Sequence, residues 1–148
     1  MDKPTTPRTN PPPEREPTEP RDPRESVSSE QLTRFSHPDG LILTVEELSS
    51  TVILAMEGDI DLATIHHLMR GVNRVDLDRI TLLVLDLDRV GFLDLAGLNT
   101  ILRIQEECAE QGVHLTVIAP RSSASRVFTL TRAHLELDLV DAGVGSGR

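Results

Sequence analysis

From Leu41 onward the chain alternates short β-branched runs with stretches of helical apolar spacing, and that order leaves few folds open. Leu41-Ile42-Leu43-Thr44-Val45 and Thr51-Val52-Ile53-Leu54-Ala55-Met56 are joined by the polar Glu46-Glu47-Leu48-Ser49-Ser50, which predicts a β-hairpin. Leu62, Ile65, Leu68, Met69 and Val72 then fall on one helical stripe, with Asp61 as its N-cap. Ile80 to Leu87 is a continuous apolar run, the pattern of a central strand buried on both faces. Leu95 to Gln111 has helical spacing again, with Leu98, Ile101, Leu102, Gln105 and Cys108 on one side, Arg103, Glu106, Glu107 and Glu110 on the other, and Gly112 at its end. His114 to Ala119 predicts another buried strand, Ser122 to Arg132 a third helix, and Leu135 to Val140 a last strand. The order is β-β-α-β-α-β-α-β, which predicts an α/β domain with a mixed, mostly parallel sheet of about five strands and three or four helices.

A chain of 148 residues has room for one such domain and its tails. Residues 1–39 hold nine of the ten prolines among mixed charges, and only Val27, Leu32 and Phe35 offer apolar surface to bury. Burial there cannot offset the entropy of ordering, so the composition predicts a disordered N-terminal tail, a domain over 40–141 and a flexible C-terminal tail over 142–148. No apolar stretch approaches the roughly 20 residues of a membrane span, and the N-terminus is proline-rich and charged where a signal peptide would be apolar. Cys108 is the only cysteine, which excludes an internal disulfide and fits a reducing compartment. The expected location is the cytoplasm.

The net charge is −9, and residues 41–141 carry sixteen acids against eight arginines. Such a field repels nucleic acid and anionic lipid, so neither direct nucleic-acid binding nor membrane insertion is expected. Asp86-Leu87-Asp88 at the end of an apolar run resembles the nucleophile motif of haloacid-dehalogenase-type phosphatases. Those enzymes also need a later basic residue and a further acidic pair. Lys3 is the sole lysine here, and the later acids Asp138 and Asp141 lie in the last, weak strand. His66 and His67 are adjacent, so on a regular helix their rings point about 100° apart and cannot share one metal. The reading is of a binding protein, with no catalytic residues, metal or cofactor.

The turn Phe92-Leu93-Asp94-Leu95-Ala96-Gly97-Leu98 is the candidate binding surface. Asp94 stands where its carboxylate can accept backbone N–H groups, which makes Leu95 and Ala96 the first exposed helical positions. At a helix start a phosphoryl group on position 96 would be tolerated by the fold while changing the surface.

The spacing of Glu57-Gly58-Asp59-Ile60-Asp61-Leu62-Ala63-Thr64, then Leu83-Val84-Leu85-Asp86-Leu87, Val90, Phe92-Leu93-Asp94 and Gly97-Leu98 is similar to STAS domains, and in detail to the bacterial anti-sigma-factor antagonists. Val127-Phe128-Thr129-Leu130-Thr131 falls where that family has its last helix. The resemblance covers about residues 41–141. It implies a STAS-like single domain that binds an anti-sigma factor, typically one with serine kinase activity, and so releases a sigma factor for transcription, as in stress responses. It also implies a partner-binding face formed by Asp59, Asp61, Asp94, Leu95, Ala96 and Gly97. Asp59 and Asp61 belong to it because their loop is expected at the same end of the sheet as the Asp94 turn. Homodimerisation stays open, and a second reading is a STAS scaffold in a signalling or transport complex without a sigma factor.

Two departures from the family pattern stand out. Ala96 occupies the position of the usual phosphoacceptor serine and cannot accept phosphate. Arg132 replaces a glycine common after the Leu-Thr of the last helix. The first implies a permanently active antagonist or a partner without kinase activity, in preference to control through the N-terminal tail or a nearby hydroxyl such as Thr100.

Overall fold

The computed structural model describes residues 31–36 and 40–142. They form a six-stranded sheet of β1 (Gln31–Ser36), β2 (Ile42–Leu48), β3 (Thr51–Ile60), β4 (Leu82–Leu93), β5 (His114–Ile118) and β6 (Asp138–Val140), lying side by side in sequence order. β1, β2 and β3 pair antiparallel, and β3 through β6 pair parallel. Three helices make the parallel crossovers: α1 (Ile65–Asn73), α2 (Leu95–Glu110) and α3 (Arg126–Leu130). The domain is therefore mixed α/β, as expected, with one strand more than the expected sheet. That strand, β1, falls within 31–39, a stretch expected to belong to the tail. Its apolar Phe35 packs against the core and its backbone pairs with β2 along its whole length, so tertiary pairing offsets the ordering cost that composition alone could not. Residues 1–30, 37–39 and 143–148, and the tail readings that fall on them, lie outside the described residues.

Strands in sequence order, joined by crossovers of one hand, carry all the helices to the same face. Burial follows from this. In β4, Leu83, Leu85 and Leu87 are fully buried beneath the helices, whereas Leu82, Val84 and Asp86 are only half-buried. The expectation of burial on both faces is thus corrected: the run is apolar on both sides but covered on one. Its layer with Leu43, Leu54, Met56, Leu68, Ile101 and Val117 forms the core. Each fully buried aliphatic side chain there contributes roughly 1.5–3 kcal/mol. Cys108 belongs to the same core, where burial, with a smaller push from the Glu107 charge, raises its thiol pKa to about 11.

The helix ends follow local chemistry. Gly112, at φ +76°, follows the C-cap residue Gln111 of α2. α1 begins later than its apolar stripe suggests, at Ile65, and Leu62 stands in the preceding turn with 73% of its surface exposed. Asp61 caps that turn instead of the helix proper, accepting the amides of Ala63 at 3.0 Å and Thr64 at 3.2 Å. His66 is exposed and His67 buried, so the adjacent rings do diverge. The segment expected as one helix over 122–132 is split into a 3₁₀ turn at Ser123–Ser125 and the five-residue α3, and a second 3₁₀ turn at Ala133–Leu135 delays the expected last strand from Leu135 to Asp138. Among the described residues no helix is long and apolar enough to cross a membrane.

Arg132 sits in the left-handed region, at φ 65° and ψ 17°. A side chain there costs about 1–2 kcal/mol, against about 0.5–1 kcal/mol for the greater freedom of an unfolded glycine. Arg132→Gly is therefore expected to stabilise the domain by about 0.5–1 kcal/mol in urea denaturation. A loss of stability would mean that the arginine stem packs more favourably than its backbone strain costs.

Candidate functional site

Two turns meet at the end of the sheet where β3 and β4 finish. The strands are in parallel register there, Asp59 beside Phe92 and Ile60 beside Leu93, and the Asp94 amide donates to the Ile60 carbonyl at 3.3 Å. The register between β3 and β4 shifts twice on the way, between Ala55 and Glu57 and between Gly58 and Asp59, and each shift adds a residue on the β4 side. Bulges of this kind re-aim side chains. Val90 and Leu93 accordingly point inward, while Gly91 and Phe92 between them are exposed.

The Asp94 side chain accepts the Gly97 amide at 2.8 Å, and its carbonyl accepts the Leu98 amide at 2.9 Å, the N-cap arrangement expected from sequence. Leu95 is consequently exposed and Ala96 half-exposed on the first turn of α2. Gly97 is buried beneath them for lack of room: a Cβ there would lie 2.6 Å from Leu93 Cδ1 and 2.9 Å from both Ile60 Cγ2 and the Ile60 carbonyl oxygen. The absence of a side chain lets α2 settle on the end of β3.

Thr64 organises the neighbouring turn. Its hydroxyl donates to the Asp59 carbonyl at 2.9 Å and accepts the Asp61 amide at 3.0 Å, with the residue 1% exposed. The carboxylates of Asp61 and Asp94 are thus engaged by backbone amides, and Asp59 is the exposed acid of the three. Thr100 is 3% exposed and donates to the Ala96 carbonyl at 2.8 Å. The folded domain therefore withholds Thr100 from a kinase, which corrects the idea of a substitute hydroxyl at that position.

The structure brings Asp59, Asp61, Asp94, Leu95, Ala96 and Gly97 to one end of the sheet, exposes Phe92 of the candidate turn, and adds Leu62, which the sequence reading did not place there. Leu62, Phe92 and Leu95 are 73%, 49% and 58% exposed, three large apolar side chains on the two linked turns. Helical periodicity had assigned Leu62 to the core, and only the late start of α1 releases it. Phe92 had a usable signal: in a chain with three phenylalanines it stands next to a glycine and before a cap, where a strand is ending. Elsewhere, Asp86 accepts the Asp88 amide at 3.0 Å, and Asp88 is paired with Arg121 at 2.6 Å. Both carboxylates of the phosphatase-like motif are committed to local contacts. No group of three metal-ligating side chains occurs among the described residues.

A family model described as the STAS domain matches residues 43–142. The anti-sigma-F factor antagonist RsfB of Mycobacterium tuberculosis, in strains CDC 1551 and H37Rv, is 37% identical over 92 residues, which is 62% of this chain and 74% of RsfB. The crystal structure of an anti-sigma factor antagonist from Mycobacterium paratuberculosis is similar with a TM-score of 0.62 and 27% identity, covering 72% of this chain and 90% of that one. SpoIIAA, an anti-sigma factor antagonist solved in its unphosphorylated form, shares the fold at a TM-score of 0.58 and 16% identity, over 68% of this chain and 87% of its own.

Proposed function

Since this chain belongs to the STAS domain family, we propose that it is an anti-sigma-factor antagonist, a cytoplasmic binding protein that docks on an anti-sigma factor and thereby frees a sigma factor. The observation that carries this reading is the exposure of three large apolar side chains, Leu62, Phe92 and Leu95, on the two turns linked where β3 and β4 end, on a chain 37% identical to an anti-sigma-F factor antagonist. Exposed apolar side chains grouped on rigid, capped turns suit protein docking, because little entropy is lost when they are covered. Asp59 beside them favours a partner surface with a basic residue at its rim. The domain supplies shape and apolar area, and any ATP chemistry is the partner's.

Control differs from the family's usual form, because position 96 offers a methyl group. A kinase-active partner and ATP are expected to leave wild-type residue 96 unmodified, whereas Ala96→Ser gains one phosphate by intact mass. Phosphate on any serine or threonine of the wild-type chain that abolishes binding would refute constitutive binding. Affinity purification from the native host tests the partner itself: recovery of an anti-sigma factor with its sigma factor displaced is the expected result. Recovery of transport or self-assembly components alone would sink the antagonist reading.

A further inference from the structure

Among the described residues β1 is an outer strand of the sheet, bonded to β2 on one side. The backbone groups on its other side are those that accept an added strand. Its sequence has no proline or lysine to discourage this, and its one charge, Arg34, pairs in register with Thr44 on the helix-free face. Thr33 and Phe35 are in register with Val45 and Leu43 on the helix-covered face. There the guanidinium of Arg74 lies 4.7 Å from the Phe35 ring centroid, a cation–π contact that holds it near the strand edge. Arg70 lies one turn earlier on the same side of α1. Two adjoining hollows of about 80 and 160 Å³ share Phe35 and Arg74, the first also lined by Arg70 and the second by Thr33 and Glu47.

The charge pattern identifies the occupant. Among the described residues Arg79, Arg89 and Arg121 each lie within ion-pair distance of a carboxylate, those of Asp76, Glu57 and Asp88. Arg34, Arg70, Arg74, Arg103, Arg126 and Arg132 have no such partner there, in a domain whose acids outnumber its arginines two to one, and of these Arg70 and Arg74 are the two that line the hollows at Phe35. We infer that the outer edge of β1, with Phe35, Arg70 and Arg74, is a second docking site that takes an extended acidic segment of a partner protein. The strand edge selects an extended polypeptide over a free anion, through main-chain hydrogen bonds. The guanidiniums select carboxylates at alternate positions of that segment, and Phe35 offers an apolar contact between them. β2 separates this edge from β3 and the 59–64 turn, so the site can be tested without the anti-sigma factor and stands or falls apart from the antagonist reading.

The test is selection of a random peptide library against the full chain, followed by titration of one selected peptide by fluorescence polarisation. Enriched peptides are expected to alternate Asp or Glu with an aliphatic residue and to bind more weakly as salt rises. The double variant Arg70→Glu, Arg74→Glu is expected to lose at least tenfold in affinity, and Arg70→Ala, which leaves the Phe35 stack intact, to lose about threefold, while Arg103→Glu on α2 changes nothing. No enrichment, enrichment of basic peptides, or binding that survives the double reversal with an unchanged Tm would overturn the inference. So would self-association of the wild type that the double reversal abolishes, since the occupant would then be a second copy.

Discussion

Ala96→Asp is expected to lower the affinity for the anti-sigma factor by about a hundredfold, a loss of roughly 3 kcal/mol. The methyl group of Ala96 is half-exposed between Leu95 and the buried Gly97, on the turn that carries Phe92 and Leu95. A carboxylate placed there must shed its water when the partner closes over it, with no counter-charge built to receive it. The isolated domain should tolerate the change, because a negative group in the first turn of a helix is favoured by about 0.3–1 kcal/mol. Titration calorimetry against the anti-sigma factor, paired with thermal unfolding, separates the two effects. Full affinity with an unchanged Tm would place the docking surface elsewhere, and Leu95→Ala and Phe92→Ala, each expected to cost about 1–2 kcal/mol of binding, would then be silent as well.

The second large effect is on stability. Gly58→Ala is expected to cost about 3 kcal/mol, or roughly 15 °C in Tm for a domain of this size. Gly58 has φ +118°, and a Cβ on it would lie 2.4 Å from the Gly40 carbonyl oxygen, a backbone atom that cannot turn aside. Strain and overlap therefore act together. Gly112 separates them: at φ +76° with open space around its Cβ position, Gly112→Ala meets only the backbone term and should cost about 1 kcal/mol. Equal losses for the two in chemical denaturation would show that the Gly58–Gly40 approach relaxes. Because Gly58 precedes Asp59, the damage also displaces the candidate site, and the variant should bind the anti-sigma factor more weakly than its residual folded fraction accounts for.

Much of the fold was legible in local signals. Apolar runs of β-branched residues marked β2, β3 and β5, the helical stripe marked α2, and Asp94 and Gly112 marked its two ends, because each depends on contacts within a few residues. β1 was not legible. Gln31–Ser36 has only Leu32 and Phe35 to bury, and it becomes a strand by pairing with β2 and setting Phe35 under Arg74. Arg132 illustrates the converse. Resemblance to a family with glycine there flagged the position, and the left-handed backbone supplies the reason.

For the candidate site the division is similar. The residue types alone determined that position 96 lacks a hydroxyl, that Asp94 caps the helix behind it, and that the chain carries a net charge of −9. Those are properties of composition and of hydrogen bonds reaching three residues or fewer. Only the tertiary structure decided that Leu62 and Phe92 face outward with Leu95, that Thr100 is shut away, and that Arg70 and Arg74 overhang a sheet edge. Each of those depends on where a helix begins, how a strand bulges or which strand lies outermost, and these are settled by packing between segments far apart in the chain.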